Sequence, residues 1–248
     1  MFLAFFLMTQ LPLVPATGQA AKERMEQCLD LATGDPRAGE AAATRWRAEG
    51  GGFLARQCLG IAIANQGKWS AAAAIFEEAA REAETAQDVH SANYWAQAGN
   101  AWLAAGDSAK AKLALDAALA AGTLSALDLG EAHLDRARVR VATADMAGAR
   151  SDLDAALEHA EADPLAWLLS ATLARREGDL KRARTDIDEA LRRAPDDASV
   201  QLEAGNIAAL QADEPRARAA WTRAIELAPG SPQANAARGA LEQFGAEQ

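Results

Sequence analysis

The stretch that decides the fold is WLLSATLARREGDLKRARTDIDEALRRAP, residues 167–195. Its apolar residues recur with the period of a helix, but Gly178-Asp179 interrupts the pattern and Pro195 ends it. Glycine tolerates the left-handed conformation at the end of a helix, and aspartate accepts the free amide hydrogens at the start of the next one. The stretch therefore predicts two helices joined by a tight turn.

The same turn recurs along the chain at a period of 34 residues. Gly178-Asp179 corresponds to Ala212-Asp213 downstream and to Ala144-Asp145 upstream. Nearer the amino terminus the turn appears, at less regular spacing, as Gly106-Asp107, Gly67-Lys68 and Gly34-Asp35. Internal similarity at this period predicts a stack of helix pairs.

Each unit also combines small and large residues in a fixed pattern. Small residues stand at 137, 171 and 205 in the first helix and at 149, 183 and 217 in the second, and larger residues stand at 153, 187 and 221. Small side chains let two helices approach closely, and the larger ones fill the space between neighbouring units.

This pattern resembles the tetratricopeptide repeat. The matching positions in the quoted unit are Trp167, Ala171, Gly178, Ala183, Ile187, Ala190 and Pro195. The resemblance covers about residues 20–244 and is weakest in the first unit. It implies an all-α fold, an α-solenoid of about six helix pairs with a C-terminal capping helix and one concave face.

We expect a signal peptide followed by one solenoid domain. The predicted boundaries are 1–20 for the signal peptide, 21–248 for the solenoid, 21–52, 53–91, 92–129, 130–163, 164–197 and 198–231 for its units, and 232–244 for the capping helix.

The signal peptide is predicted from the segment MFLAFFLMTQLPLVPATGQA. An apolar run is followed by small residues, with Gly18 and Ala20 suited to cleavage after Ala20, although no Lys or Arg precedes the run. This predicts export to the periplasm. The alternative is an inner-membrane anchor formed by the uncleaved segment, but the apolar stretch is shorter than the ~20 residues that a spanning helix needs.

The net charge and the absence of known catalytic and metal-binding motifs argue against several classes of function. The net charge of −10 over 248 residues disfavours nucleic acid as a partner. The three histidines lack the spacing of a metal site, and neither a GxSxG motif nor a phosphate-binding loop occurs. We therefore expect no catalytic residues, no metal and no small-molecule cofactor.

The two cysteines, Cys28 and Cys58, fall on the first helices of the first two units. The resemblance implies that these helices run side by side, so an oxidising compartment favours a disulfide between them. The alternative is a pair of small buried thiols.

Large aromatic residues are expected to serve packing rather than ligand binding. Trp69, Trp95, Trp102, Trp167 and Trp221 all occupy positions that the repeat uses for its interior, whereas Trp46 lies in the degenerate first unit.

By resemblance, the concave groove is lined by fixed positions of each first helix. The polar candidates there are Asn93, Asn100, Arg138, Arg175, Arg176 and Asn206. With Glu131 as the one acid among these positions, the groove is expected to be basic and to bind a peptide that carries a carboxylate. The alternative is a row of solvated arginines.

These features predict a noncatalytic, exported interaction module that binds a peptide segment of a cell-envelope protein. The alternatives are a self-associating scaffold and an accessory subunit of an envelope enzyme.

Two further arginines, Arg136 and Arg140, stand where the family has leucine and tyrosine. A buried arginine needs a partner. Local salt bridges to Asp135, Asp152 or Asp154 satisfy that need, whereas the functional alternative is a basic centre that also includes Arg138, Arg175 and Arg176.

Overall fold

The computed structural model describes residues 18–246, with side chains described as far as residue 243. Most of the predicted signal peptide lies outside the described residues. The described part consists of thirteen helices: α1 (Gly18–Gly34), α2 (Pro36–Ala48), α3 (Gly52–Ala64), α4 (Trp69–Thr85), α5 (Ser91–Ala104), α6 (Ser108–Ala121), α7 (Ala126–Ala142), α8 (Met146–His159), α9 (Pro164–Glu177), α10 (Leu180–Arg193), α11 (Ala198–Leu210), α12 (Glu214–Leu227) and α13 (Pro232–Ala246).

The helices form six consecutive pairs, α1–α2 to α11–α12, followed by α13. Each helix packs against the next one along the chain. First helices of successive units also contact one another: α1 contacts α3, α5 contacts α7, and α9 contacts α11. The predicted all-α solenoid is confirmed.

The turn inside each pair forms as the quoted stretch predicts. Gly178 ends α9 with a φ of +82°, and the Asp179 carboxylate accepts a hydrogen bond from the Arg182 amide at the start of α10. Where alanine replaces the glycine, Ala144 and Ala212 adopt the same left-handed conformation, with φ values of +63° and +59°.

The interior depends on contacts between a small residue of the first helix and a large one of the second. A Cβ built on Gly205 comes within 2.4 Å of the Trp221 ring, so only glycine fits there. Ala171 and Ile187, at the same places one unit earlier, are fully buried. The predicted close approach of the paired helices is confirmed.

The tryptophans do not all lie in the core. Trp102 and Trp221 are buried, and so is Trp46, whose place the sequence left open. Trp95 and Trp167 are half-buried. Trp69 is 39% exposed, so its assignment to the core is wrong. It is the first residue of α4 and lines a surface cavity instead.

Cys28 on α1 and Cys58 on α3 are disulfide-bonded in the structure, with their Cα atoms 6.1 Å apart. Both residues are buried. The bond joins the first two helix pairs along their adjacent first helices.

Among the described residues, no helix combines the length and the apolar character that crossing a membrane requires.

Candidate functional site

The first helices present two cavities that meet at α7. We call the first the acidic pocket: a cavity of about 380 Å³ lined by residues of α3, α4, α5 and α7. Trp69 and Phe76 contribute aromatic surface to it, and Asp128, Glu131 and Asp135 contribute three carboxylates. Its shape and charge suit a ligand with an apolar stem and a positively charged end.

Two of the predicted groove residues, Asn93 and Asn100, line the acidic pocket. The Asn93 side-chain amide donates to the Asp128 carboxylate at 3.0 Å, and that of Asn100 donates to Asp135 at 2.8 Å. These bonds between α5 and α7 fix the orientation of both carboxylates.

The expectation of a basic groove with one acid is wrong for this half of the face. Helix α7 begins at Ala126, four residues before the predicted unit boundary at 130, which adds Asp128 to its first turn. Further along the same helix Leu134 is buried, and the next residue, Asp135, lines the cavity.

The carboxylates of the acidic pocket have few positive neighbours. Burial raises the pKa of the Glu131 carboxyl above its ordinary value of 4.5, and the nearby Asp128, Asp163 and Asp135 raise it further. Within residues 18–243, neither Asp128 nor Glu131 forms an ion pair. A cation entering the pocket would relieve this repulsion.

The second cavity, the arginine pocket, has a volume of about 180 Å³ and lies between α7, α8 and α9. Its lining is apolar apart from Arg138, Thr172 and Arg176. Arg138 is 45% exposed and donates to Asp135 at 3.0 Å, which links the two pockets. Among the described residues, the exposed Arg176 makes no hydrogen bond or ion pair.

The remaining two predicted groove residues, Arg175 and Asn206, line neither pocket. Arg175 Nε donates to Glu203 Oε1 at 2.6 Å, and Asn206 Nδ2 donates to Glu203 Oε2 at 3.2 Å. Asn206 also accepts a bond from the Trp221 indole at 3.1 Å. Both side chains are therefore engaged in the contact between α9, α11 and α12.

Arg136 and Arg140 form buried ion pairs and not a basic centre. Arg136 binds the Asp152 carboxylate through Nε at 2.9 Å and Nη2 at 2.7 Å, and also binds Asp116 at 2.9 Å. Arg140 Nε lies 3.3 Å from Asp152. The salt-bridge alternative therefore holds with Asp152, whereas Asp135 binds Arg138 and Asp154 binds Arg182.

Three solved structures share this fold at low sequence identity. Pseudomonas aeruginosa PilF gives a TM-score of 0.72 at 17% identity, and the match covers 92% of this chain and 99% of that chain. PilW, a widely conserved type IV pilus biogenesis factor, gives 0.73 at 17% identity over 88% and 97%. YrrB, a tetratricopeptide-repeat protein with an unusual peptide-binding site, gives 0.58 at 20% identity over 79% and 96%. These likenesses concern the fold alone.

No curated protein matches the chain in sequence. A family model of the tetratricopeptide repeat does match, once over residues 134–198 and again over residues 168–232. The two matches begin 34 residues apart, which is the period of the turn signal. Residues 134–232 therefore match the tetratricopeptide-repeat family, and helices of the same paired arrangement continue on both sides of them.

Proposed function

We propose that the chain is a noncatalytic protein-interaction module that binds a peptide segment of a cell-envelope protein in its concave groove. The observation that carries this proposal is the pair of adjoining cavities on the first helices, linked by the Asp135–Arg138 ion pair. Stacked helix pairs of this kind commonly use an extended concave surface for binding.

The arginine pocket supports a ligand with an apolar side chain next to a carboxylate. Val141, Leu153 and Leu173 supply apolar walls, and two guanidinium groups stand at the rim. Arginine binds a carboxylate through two parallel hydrogen bonds, which gives both affinity and orientation. Arg176, which has no partner of its own among the described residues, suits this role better than Arg175, which Glu203 neutralises.

Two of the proteins with a similar fold have functions that are compatible with this proposal. YrrB is a repeat protein with a peptide-binding site, and PilW is a pilus biogenesis factor.

Export of the chain, with cleavage after Ala20, is part of the proposal and rests on the layout of residues 1–20. Amino-terminal sequencing of the protein purified from periplasm tests it, and a mature chain that begins at Met1 contradicts it.

Selection of random twelve-residue peptides on the full chain tests the binding function. The double variant Arg138→Ala/Arg176→Ala should weaken the tightest peptide at least about tenfold, since hydrogen bonds to charged groups contribute ~1.5–3 kcal/mol each. Calorimetry measures the affinity, and circular dichroism checks that the variant remains folded.

The matched control removes two arginines from second helices. Arg192→Ala/Arg223→Ala makes the same change in net charge on α10 and α12. It should change the affinity less than about twofold, because both residues lie outside the two pockets. Equal loss in both double variants, or a dimer in light scattering that excludes the peptide, contradicts the proposal.

A further inference from the structure

The tryptophans of this chain differ in whether a positively charged side chain lies over the indole ring. Four of them have a cation of the chain itself over the ring: Arg24 over Trp46 at 5.3 Å, Arg81 over Trp95 at 5.5 Å, Lys110 over Trp102 at 4.1 Å and Arg193 over Trp167 at 4.8 Å. Trp69, which is 39% exposed, has no such cation among the described residues. Its ring lines the acidic pocket, the cavity with the three carboxylates.

We propose that the acidic pocket binds an arginine side chain of the partner segment, which stacks its guanidinium on Trp69 and pairs with the carboxylates of Asp128 and Glu131. This assignment rests on the proposed function and adds the chemistry of the ligand to it. Arginine suits the place because its planar group both stacks on aromatic faces and binds carboxylates bidentately.

The carboxylates that line this cavity together with Trp69 are available to pair with such a ligand. Asn93 and Ser125 donate to Asp128 at 3.0 and 2.7 Å, which orients that group without neutralising it. Glu131 accepts no hydrogen bond among the described residues. Asp135 is already paired with Arg138. This pair marks the boundary between the negatively charged acidic pocket and the positively charged arginine pocket. A partner with an arginine on one side and a carboxylate on the other complements both pockets.

Fluorine NMR of the full chain labelled with 5-fluorotryptophan tests the assignment. The Trp69 resonance is identified by its loss in Trp69→Phe. The probe is the tripeptide Ac-Ala-Arg-Ala-NH2, and its control contains citrulline, which has nearly the same shape and no charge. The arginine probe should shift the Trp69 resonance saturably, and the citrulline probe should shift it less than about one fifth as far.

Variants of the pocket separate binding there from general attraction to an acidic protein. Asp128→Asn/Glu131→Gln should weaken the arginine probe at least about tenfold, and Glu131→Gln alone should weaken it about threefold without disturbing any hydrogen bond. The control Glu158→Gln/Glu226→Gln removes the same charge from α8 and α12. It should leave the probe within about twofold of its original affinity. The other tryptophan resonances report whether each variant is folded.

An unmoved Trp69 resonance, an equal shift with citrulline, or undiminished binding in the pocket variants overturns the arginine assignment. If the selected twelve-residue peptides still depend on Arg138 and Arg176 in that case, the binding function stands and only the ligand chemistry falls. If they show no such dependence while the Trp69 shift occurs, the acidic pocket binds arginine but the proposed function fails.

Discussion

Asp152 is a buried carboxylate near the centre of the array, and three side chains bind it. It is 2% exposed and its carboxylate contacts His133, Arg136 and Arg140. Burial disfavours the ionised form, but the bonds from His133 and Arg136 and the charges of both arginines outweigh it. The pKa of the Asp152 carboxyl is therefore lower than its ordinary value of 3.8.

This lowered pKa predicts how stability depends on pH. The unfolded chain binds a proton at Asp152 more readily than the folded chain does, so the contribution of Asp152 is fully present above its unfolded pKa of 3.8. It is lost as the pH falls through the lower pKa of the folded protein. Urea unfolding between pH 7 and pH 3 should show a decline in the free energy of unfolding that is smaller in Asp152→Asn. An identical decline in both proteins would show that Asp152 contributes nothing to it.

Removing the carboxylate should also destabilise the protein at neutral pH. Asp152→Ala removes the buried partner of His133, Arg136 and Arg140. Arg136 then keeps Asp116 at 2.9 Å, and among the described residues Arg140 keeps only the exposed Asp145 as an ion-pair partner, at 3.7 Å. We expect a loss of about 2–3 kcal/mol, at the lower end for breaking a buried pair because both arginines retain some exposure. Asp196→Ala, which breaks the exposed pair with Arg223, is the control and should cost less than about 1 kcal/mol.

The sequence predicts part of this cluster. It indicates that Arg136 needs a partner and offers three aspartates, but it does not distinguish among them. The structure pairs residues 16 apart across the two helices of a unit, as for Arg136–Asp152 and Ser170–Asp186. Leu59 and Ile75, 16 residues apart two units before Arg136–Asp152, belong to the apolar core. Arg136→Leu/Asp152→Ile should therefore be more stable than Asp152→Ala.

At the scale of helices, each unit depends on the close approach of its two members. The Trp221 ring lies against Gly205, and Phe76 and Leu115 lie in the same way against Gly60 and Gly99. Each pair is again 16 residues apart in sequence. The closeness follows from the missing side chain of the glycine, which allows the larger residue of the second helix to reach the backbone of the first.

Gly205→Ala should therefore destabilise the sixth unit, which contains both Gly205 and Trp221. Its Cβ would meet the Trp221 ring at 2.4 Å, so the buried indole must shift. Overpacking costs about 1–3 kcal/mol, against a gain of ~1 kcal/mol for alanine in a helix. We expect a net loss of about 0–2 kcal/mol in the free energy of unfolding, measured by chemical denaturation, with an altered fluorescence of Trp221.

Gly239→Ala is the matched control within α13. Nothing lies within 4 Å of its added Cβ, so only the helical preference of alanine acts. The substitution should stabilise the protein by about 0.5–1 kcal/mol. A stabilising effect at Gly205 equal to that at Gly239 would contradict the packing argument.

Helix pairing could be predicted from the sequence because the turn and the small residues recur at one period. The face that each helix presents was harder to predict. The start of α7 at Ala126 depends on Ser125, whose hydroxyl accepts a bond from the Asp128 amide, in a linker that the repeat pattern does not define. Because α7 begins earlier than the repeat pattern predicts, Asp128 belongs to this helix and lines the acidic pocket. Asp128 was therefore not among the groove residues predicted from the sequence.

At the scale of the whole molecule, the ends of the array have fewer neighbours than the middle. The bond between Cys28 and Cys58 ties the first pair to the second. Closing a loop with a separation of 30 residues removes entropy from the unfolded chain, which corresponds to about 3–4 kcal/mol.

Reduction should therefore loosen α1 and α2 before any other helices. Mass measurement of protein from the periplasm, with and without reduction, should show one disulfide. Hydrogen exchange should then become faster in α1 and α2 after reduction and remain unchanged in α9 to α12. Two free thiols in the purified protein, or uniform acceleration along the chain, would contradict this account.

We propose that the concave face, built mainly from the first helices, binds a peptide. Hydrogen exchange of the full chain with and without the tightest selected peptide tests it most directly. We expect slower exchange in α5, α7 and α9, which contribute to the two pockets, and little change in α6, α10 and α12. Protection confined to the second helices, or to α1 and α13 at the ends, would contradict it.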